Sequence, residues 1–85
     1  MRVKVLFFAS CREMAGMKET SLELPGDSST TKVLREIIVE RLPRLKPVAA
    51  TVTLAVNQEY IDPEQDETPL KEGDEVAFIP PISGG

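Results

Sequence analysis

The sequence predicts an α+β domain of two layers, in which one main amphipathic helix covers one face of a mixed sheet. Three observations carry this. Apolar and polar residues alternate over residues 2–8, 19–24, 51–56 and 75–79, the two-residue period of strands. Residues 31–42 instead set Val33, Leu34, Ile37, Ile38 and Leu42 on one helical face, with Lys32, Arg35, Glu36 and Glu40 mostly elsewhere. Finally, 85 residues suffice for one domain with a modest core, and are too few for two domains or for a deep cleft within one.

The elements follow in order. In residues 2–8, Val3, Val5 and Phe7 point one way and Lys4, Leu6 and Phe8 the other, so the second face is apolar only at its far end. Residues 10–15 suit a short helix, with Ser10 as N-cap and Gly16 as its stop. Residues 19–24 form the second strand, with Leu22 and Leu24 on one face, and Pro25-Gly26 turns the chain. Ser28, Ser29 or Thr30 caps the main helix, which Pro43 ends by disfavouring helical geometry at Leu42. Residues 43–50, with two prolines, read as a connecting loop. Residues 51–56 are a β-branched strand with Val52, Leu54 and Val56 on one face. A turn at Asn57-Gln58 leads to a short return strand at Tyr60-Ile61, and residues 62–74 read as an irregular acidic loop. Residues 75–79 are the last strand, with Val76 and Phe78 inward, and Pro80-Pro81 forbids further pairing.

Composition removes several functions. Ten basic against fourteen acidic residues give a net charge of −4, which argues against a nucleic-acid partner. With no histidine, the chain cannot supply a Ser-His or Cys-His pair or an imidazole metal ligand. Aromatics at 5% leave no stacking platform for single strands. The single cysteine, Cys11, cannot form an internal disulfide, and beside Arg12 it reads as a half-buried structural thiol rather than a reactive one. Asp62, Glu64 and Asp66 have the spacing that opens an EF-hand, but Glu67 and Gly73 stand where its glycine and closing glutamate belong, so no metal site is expected. The apolar run at residues 5–9 is too short for a signal peptide, and no stretch approaches a membrane span. A cytoplasmic protein is the expectation, consistent with a lone reduced thiol.

The informative segment is PPISGG at residues 80–85. The prolines stiffen the exit from the last strand, and six extended residues reach ~20 Å. Gly84 and Gly85 then present an α-carboxylate without a nearby Cβ, a tip able to enter a narrow channel. Ionised, that carboxylate is a poor electrophile, but it can attack the α-phosphate of ATP, and the resulting acyl-adenylate accepts a sulfur or nitrogen nucleophile. An inert, glycine-rich terminus is the plain alternative.

On residues 3–9 (VKVLFFA), Arg12-Glu13 with Gly16, the VLREI helix, residues 55–58 (AVNQ) and residues 73–85 (GDEVAFIPPISGG), the chain resembles the small, sulfur-carrying subunits of molybdopterin synthase over essentially its whole length. The resemblance implies a ubiquitin-like β-grasp domain over residues 1–80 and a reactive tail over residues 81–85. It implies that an E1-like partner uses ATP to adenylate Gly85, which becomes a thiocarboxylate. Pro80, Pro81, Ile82, Ser83 and Gly84 would then thread into the large subunit, where sulfur passes to cyclic pyranopterin monophosphate. No cofactor is implied for this chain itself, and Cys11 matches no family motif. Carriers for thiamine or tRNA thiolation, a ubiquitin-like modifier of lysines and a β-grasp module with an inert tail are the other readings. Thiamine carriers typically lack the helix that residues 10–16 provide.

A face of the sheet is also left unfilled. In a β-grasp sheet the first and last strands are parallel neighbours, which joins Leu6 and Phe8 to Ala77 and Ile79, with Tyr60 extending the patch. One helix covers only the other face, so the patch reads as a partner surface. The competing expectation is that residues 43–50 or 62–74 fold over it. Burying Leu6, Phe8 and Ile79 would contribute ~5–9 kcal/mol, against an association cost of ~4–15 kcal/mol. Docking on the patch alone would therefore be weak, as suits a carrier that visits two partners in turn.

Overall fold

The computed structural model describes residues 1–26, 29–49, 51–62 and 67–80. The alternation at the start of the chain becomes strand β1 (Arg2–Phe7), followed by helix α1 (Ala9–Ala15) and strand β2 (Glu19–Glu23). A two-residue strand β3 (Ser29–Thr30) leads into the main helix α2 (Thr31–Arg41). A 3-10 turn (Pro43–Leu45) and a short helix α3 (Lys46–Ala49) follow, then strands β4 (Thr53–Val56), β5 (Glu59–Tyr60), β6 (Pro69–Leu70) and β7 (Glu75–Ile79).

The main sheet runs β2-β1-β7-β4-β5, with β1 and β7 parallel at its centre and the other pairs antiparallel. The helices lie on one face, over a core of Val3, Val5, Phe7, Leu22, Leu34, Ile38, Leu54, Val76 and Phe78. Phe7 and Phe78 are register partners and tilt against each other, with ring centroids 5.8 Å apart. This is the β-grasp arrangement expected from the sequence, with inward and outward residues of β1 and β7 as the alternation requires.

Several local expectations are corrected. Ser10 lies inside α1 and does not cap it; the N-cap is Phe8, whose side chain accepts no capping bond. Thr30 caps α2, its hydroxyl accepting from the Val33 N–H at 3.4 Å, while Ser28 lies outside the described residues. Ile37 is only partly buried and Ile38 is the inward residue. Residues 43–49 are helical rather than loop-like: Pro43 opens the 3-10 turn, where its missing N–H costs nothing. The segment is fastened by Arg35, whose guanidinium donates to the carbonyls of Ala49 and Val52, and it buries Leu45 and Ala49. Within residues 62–74, β6 pairs with β3, and the two are joined further by the Thr31 hydroxyl accepting from the Thr68 N–H at 3.2 Å. The return strand is Glu59–Tyr60 rather than Tyr60-Ile61. Cys11 is wholly buried, not half-buried.

Candidate docking face and chain exit

The strand register assembles the outward residues into rows. Leu6 pairs with Ala77, Ala77 with Ala55, and Ala55 with Tyr60, so these four lie side by side across β1, β7, β4 and β5. The two alanines make the middle of the row low. Ala77 is 9% exposed and Ala55 4%, whereas Phe8 is 47% and Tyr60 74% exposed. The result is a shallow concavity of about 330 Å³ lined by these residues with Ile79, Gln58 and Glu75. Leu6 and Ile79 are half-buried along it. Exposed Phe8 and Tyr60 rise beside buried alanines, which leaves a contiguous apolar concavity open to water.

The expected patch of Leu6, Phe8, Tyr60, Ala77 and Ile79 is therefore brought together, with Ala77 as floor and the others as walls. The described parts of the two segments expected as possible covers lie elsewhere. Leu45 belongs to the helix-side core, and Pro69–Leu70 pairs with Ser29–Thr30. Ala55, Gln58 and Glu75 are site residues that sequence reasoning missed. Ala55 was within reach: it follows the inward Leu54 and so must face outward, and antiparallel pairing with the last strand sets it beside Ala77.

Phe8 holds its place through backbone bonds rather than through its ring. Its N–H donates to the Phe78 carbonyl at 3.2 Å and its own carbonyl accepts from the Cys11 N–H at 3.0 Å. Tyr60 rides on a tight hairpin in which Asn57 and Gln58 both take positive φ, 51° and 72°, as a two-residue turn between twisted strands requires. That hairpin is locked to the start of β7. The Asn57 amide donates to Asp74 Oδ1 at 3.0 Å, the Glu75 N–H donates to Asn57 Oδ1 at 3.0 Å, and Asp74 Oδ2 accepts from the Lys71 N–H at 2.9 Å. Asp74 is buried by these contacts. Beside the concavity, Lys4 meets Glu19 at 2.8 Å, and that hydrogen bond and the carboxylate's charge hold the exposed Lys4 ammonium above its ordinary value. On the helix side, burial pushes the Cys11 thiol up, the opposite of an activated nucleophile.

The chain leaves the sheet at Ile79, at the same end as Phe8, because β1 and β7 are parallel. Pro80 follows the strand without pairing. Pro81, Ile82, Ser83, Gly84 and Gly85, the expected tail and reactive group, lie outside the described residues, as do Glu64 and Asp66 of the acidic loop. Among the described residues, no cluster of acidic or thiol side chains is placed to hold a metal ion, and no helix is long and apolar enough to cross a membrane.

The model of the ThiS family matches residues 5–85. A molybdopterin synthase sulfur carrier subunit from Chlamydomonas reinhardtii is 51% identical over 85 residues, covering all of both chains. Among solved structures, a putative molybdopterin converting factor subunit 1 from Pyrococcus furiosus superposes with a TM-score of 0.81 at 32% identity, over 96% of this chain and 99% of that one. A chain in the complex of subunits 1 and 2 of the molybdopterin-converting factor from Helicobacter pylori gives 0.72 at 29% identity, over all of both chains. Sequence and fold agree: the chain belongs to the ThiS family, and groups there with the sulfur carrier subunits of molybdopterin synthase.

Proposed function

We propose that this chain carries sulfur as a thiocarboxylate on Gly85 and donates it to cyclic pyranopterin monophosphate in molybdopterin synthesis, acting as the sulfur-donating subunit of a complex and not as an enzyme by itself. The observation that carries the reading is the alanine-floored concavity, which lies on the open sheet face and reaches the end where β7 hands over to Pro80. A protein seated there is positioned to receive residues 80–85. The Helicobacter pylori relative, found with a second subunit, supports a large subunit as that protein.

The chemistry needs two visits. An E1-like partner first lets the Gly85 carboxylate attack the α-phosphate of ATP, releasing pyrophosphate. A sulfur nucleophile then displaces AMP and leaves the thiocarboxylate. In the large subunit the sulfur passes to the pterin precursor, water supplies the replacing oxygen, and the carrier returns to a carboxylate. A dithiolene contains two sulfur atoms, so two loaded carriers are spent on each product, and each emptied one must leave. Modest docking energy suits that cycle, because a face that held tightly would trap the spent carrier.

The test is molybdopterin formation from precursor, large subunit and chemically prepared thiocarboxylate. Deleting Gly85 withdraws the tip by ~3.3 Å, about a full near-attack distance, and eliminates transfer with the stability of the domain unchanged. One residue added after Gly85 turns its carboxyl into an amide and carries the terminal group one residue beyond the reacting position, so transfer is lost there too. Gly84→Val fails by bulk in the neck. Normal product formation from the chain lacking Gly85 would overturn the proposal.

A further inference from the structure

A second concavity, of about 250 Å³, adjoins the first and shares Leu6 and Phe8 with it; Arg12, Lys18, Glu19 and Phe7 complete its lining. Its charges are not balanced. Glu19 is taken up by Lys4 at 2.8 Å, whereas Arg12 and Lys18 are exposed and form no ion pair among the described residues. Two uncompensated cations thus flank the docking face of a chain whose net charge is −4. Both are held in place by backbone. The Arg12 carbonyl accepts from the Gly16 N–H at 2.9 Å as α1 closes, and the Lys18 carbonyl accepts from the Phe7 N–H at 2.8 Å beside the end of β1.

Their position along the strands is what matters. Lys18 lies level with Phe7 and Arg12 follows Phe8, so the cations stand at the end of the sheet where β7 hands over to the tail. Glu75 lines the opposite end of the face, level with Lys4. The face is therefore apolar in the middle, carries two cations without ion-pair partners among the described residues at the tail end, and at the other end sets Glu75 beside Lys4. Apolar contact is non-directional, and a floor of Ala77 and Ala55 does little to distinguish one docking orientation from its reverse. The tail, however, can reach an active site only if it leaves in one direction. Two unpaired cations at the tail end alone supply that orientation, because a reversed partner would carry its carboxylates away from them.

We propose that Arg12 and Lys18 form a cationic rim that receives paired carboxylates on the protein docking over the concavity, next to the mouth of the channel that takes the tail. The inference rests on the docking reading above and adds the chemistry of the partner's surface to it.

The test is binding of the purified large subunit to the full chain, by calorimetry and stopped flow, at about 50 and about 500 mM salt, a range that shortens the Debye length several-fold. The parent protein should bind several-fold more weakly at high salt, mostly through slower association. Arg12→Gln with Lys18→Gln should remove most of that salt dependence. Arg12→Glu with Lys18→Glu should weaken binding at least tenfold at low salt, with circular dichroism unchanged. Parent-like affinity and an intact salt response in the double reversal would overturn the rim while leaving the docking face in place. Phe8→Asp in parallel separates the two claims: undiminished binding there would remove the docking reading, and the rim with it.

Discussion

Phe8→Asp sets folding and docking against each other. Phe8 occupies the N-cap of α1 with extended backbone angles, φ −117° and ψ 151°, but offers no capping group. Aspartate is among the residues preferred there and contributes ~0.5–2 kcal/mol at such sites. About half of the Phe8 side chain is already out of water, so its removal costs ~0.8–1.5 kcal/mol, half the value of a fully buried phenylalanine. The two effects nearly cancel, and the unfolding free energy from urea denaturation should stay within about 1 kcal/mol of the parent. Docking responds differently. It loses the remaining half of the ring's burial and must desolvate a carboxylate against Leu6 and Ile79. The combined loss is at least ~2 kcal/mol, roughly thirtyfold in affinity for the large subunit. Urea denaturation and calorimetry on the same preparation check both halves. A fall in stability of ~3 kcal/mol or more would show that Phe8 belongs to the core and refute the assignment of faces.

Other expectations follow from burial and bonding. Ile38, 1% exposed, should lose ~2–5 kcal/mol on truncation to alanine; Ile37→Ala should lose less than half of that, and equal urea midpoints would contradict the orientation of α2. Asp74→Ala strands the donors of Lys71 and Asn57 and should cost ~2–4 kcal/mol in thermal or chemical denaturation. Cys11 should resist thiol reagents in the folded protein and react once it is unfolded. Because burial raises the Cys11 thiol above 9.0, the stability tied to it is full below that value. It is lost as the pH rises through the folded value, since only the unfolded chain releases the proton earlier; a Cys11→Ala variant should lack this alkaline slope.

The parts of the fold legible in the sequence are those with a period. Val3, Val5 and Phe7 against Val76 and Phe78 announced two strands with a common buried face, and the same alternation forced Leu6, Phe8, Ala77 and Ile79 outward. What escaped has no period to read. Ser29–Thr30 and Pro69–Leu70 are two-residue strands, visible only once they pair. Pro43 and Pro47 looked like loop markers, yet both sit where short helical turns begin and the missing N–H is not needed. Ser10 resembled a cap by residue type, but the cap position belongs to Phe8, a residue unsuited to it whose side chain lines the open-face concavity. Glu75 joined the site through strand register, which composition does not encode. Arg12 stood out as part of a family motif, and its place beside Phe8 emerged only with the position of α1.

The most direct measurement of the central claim is the intact mass of this protein purified from its own cell, without reductant or strong base. The account predicts a population heavier by one oxygen-to-sulfur exchange, with the increment confined to a C-terminal peptide ending at Gly85 and lost on incubation with precursor and large subunit. A single mass corresponding to the plain carboxylate, under conditions in which molybdopterin is being made, would contradict it.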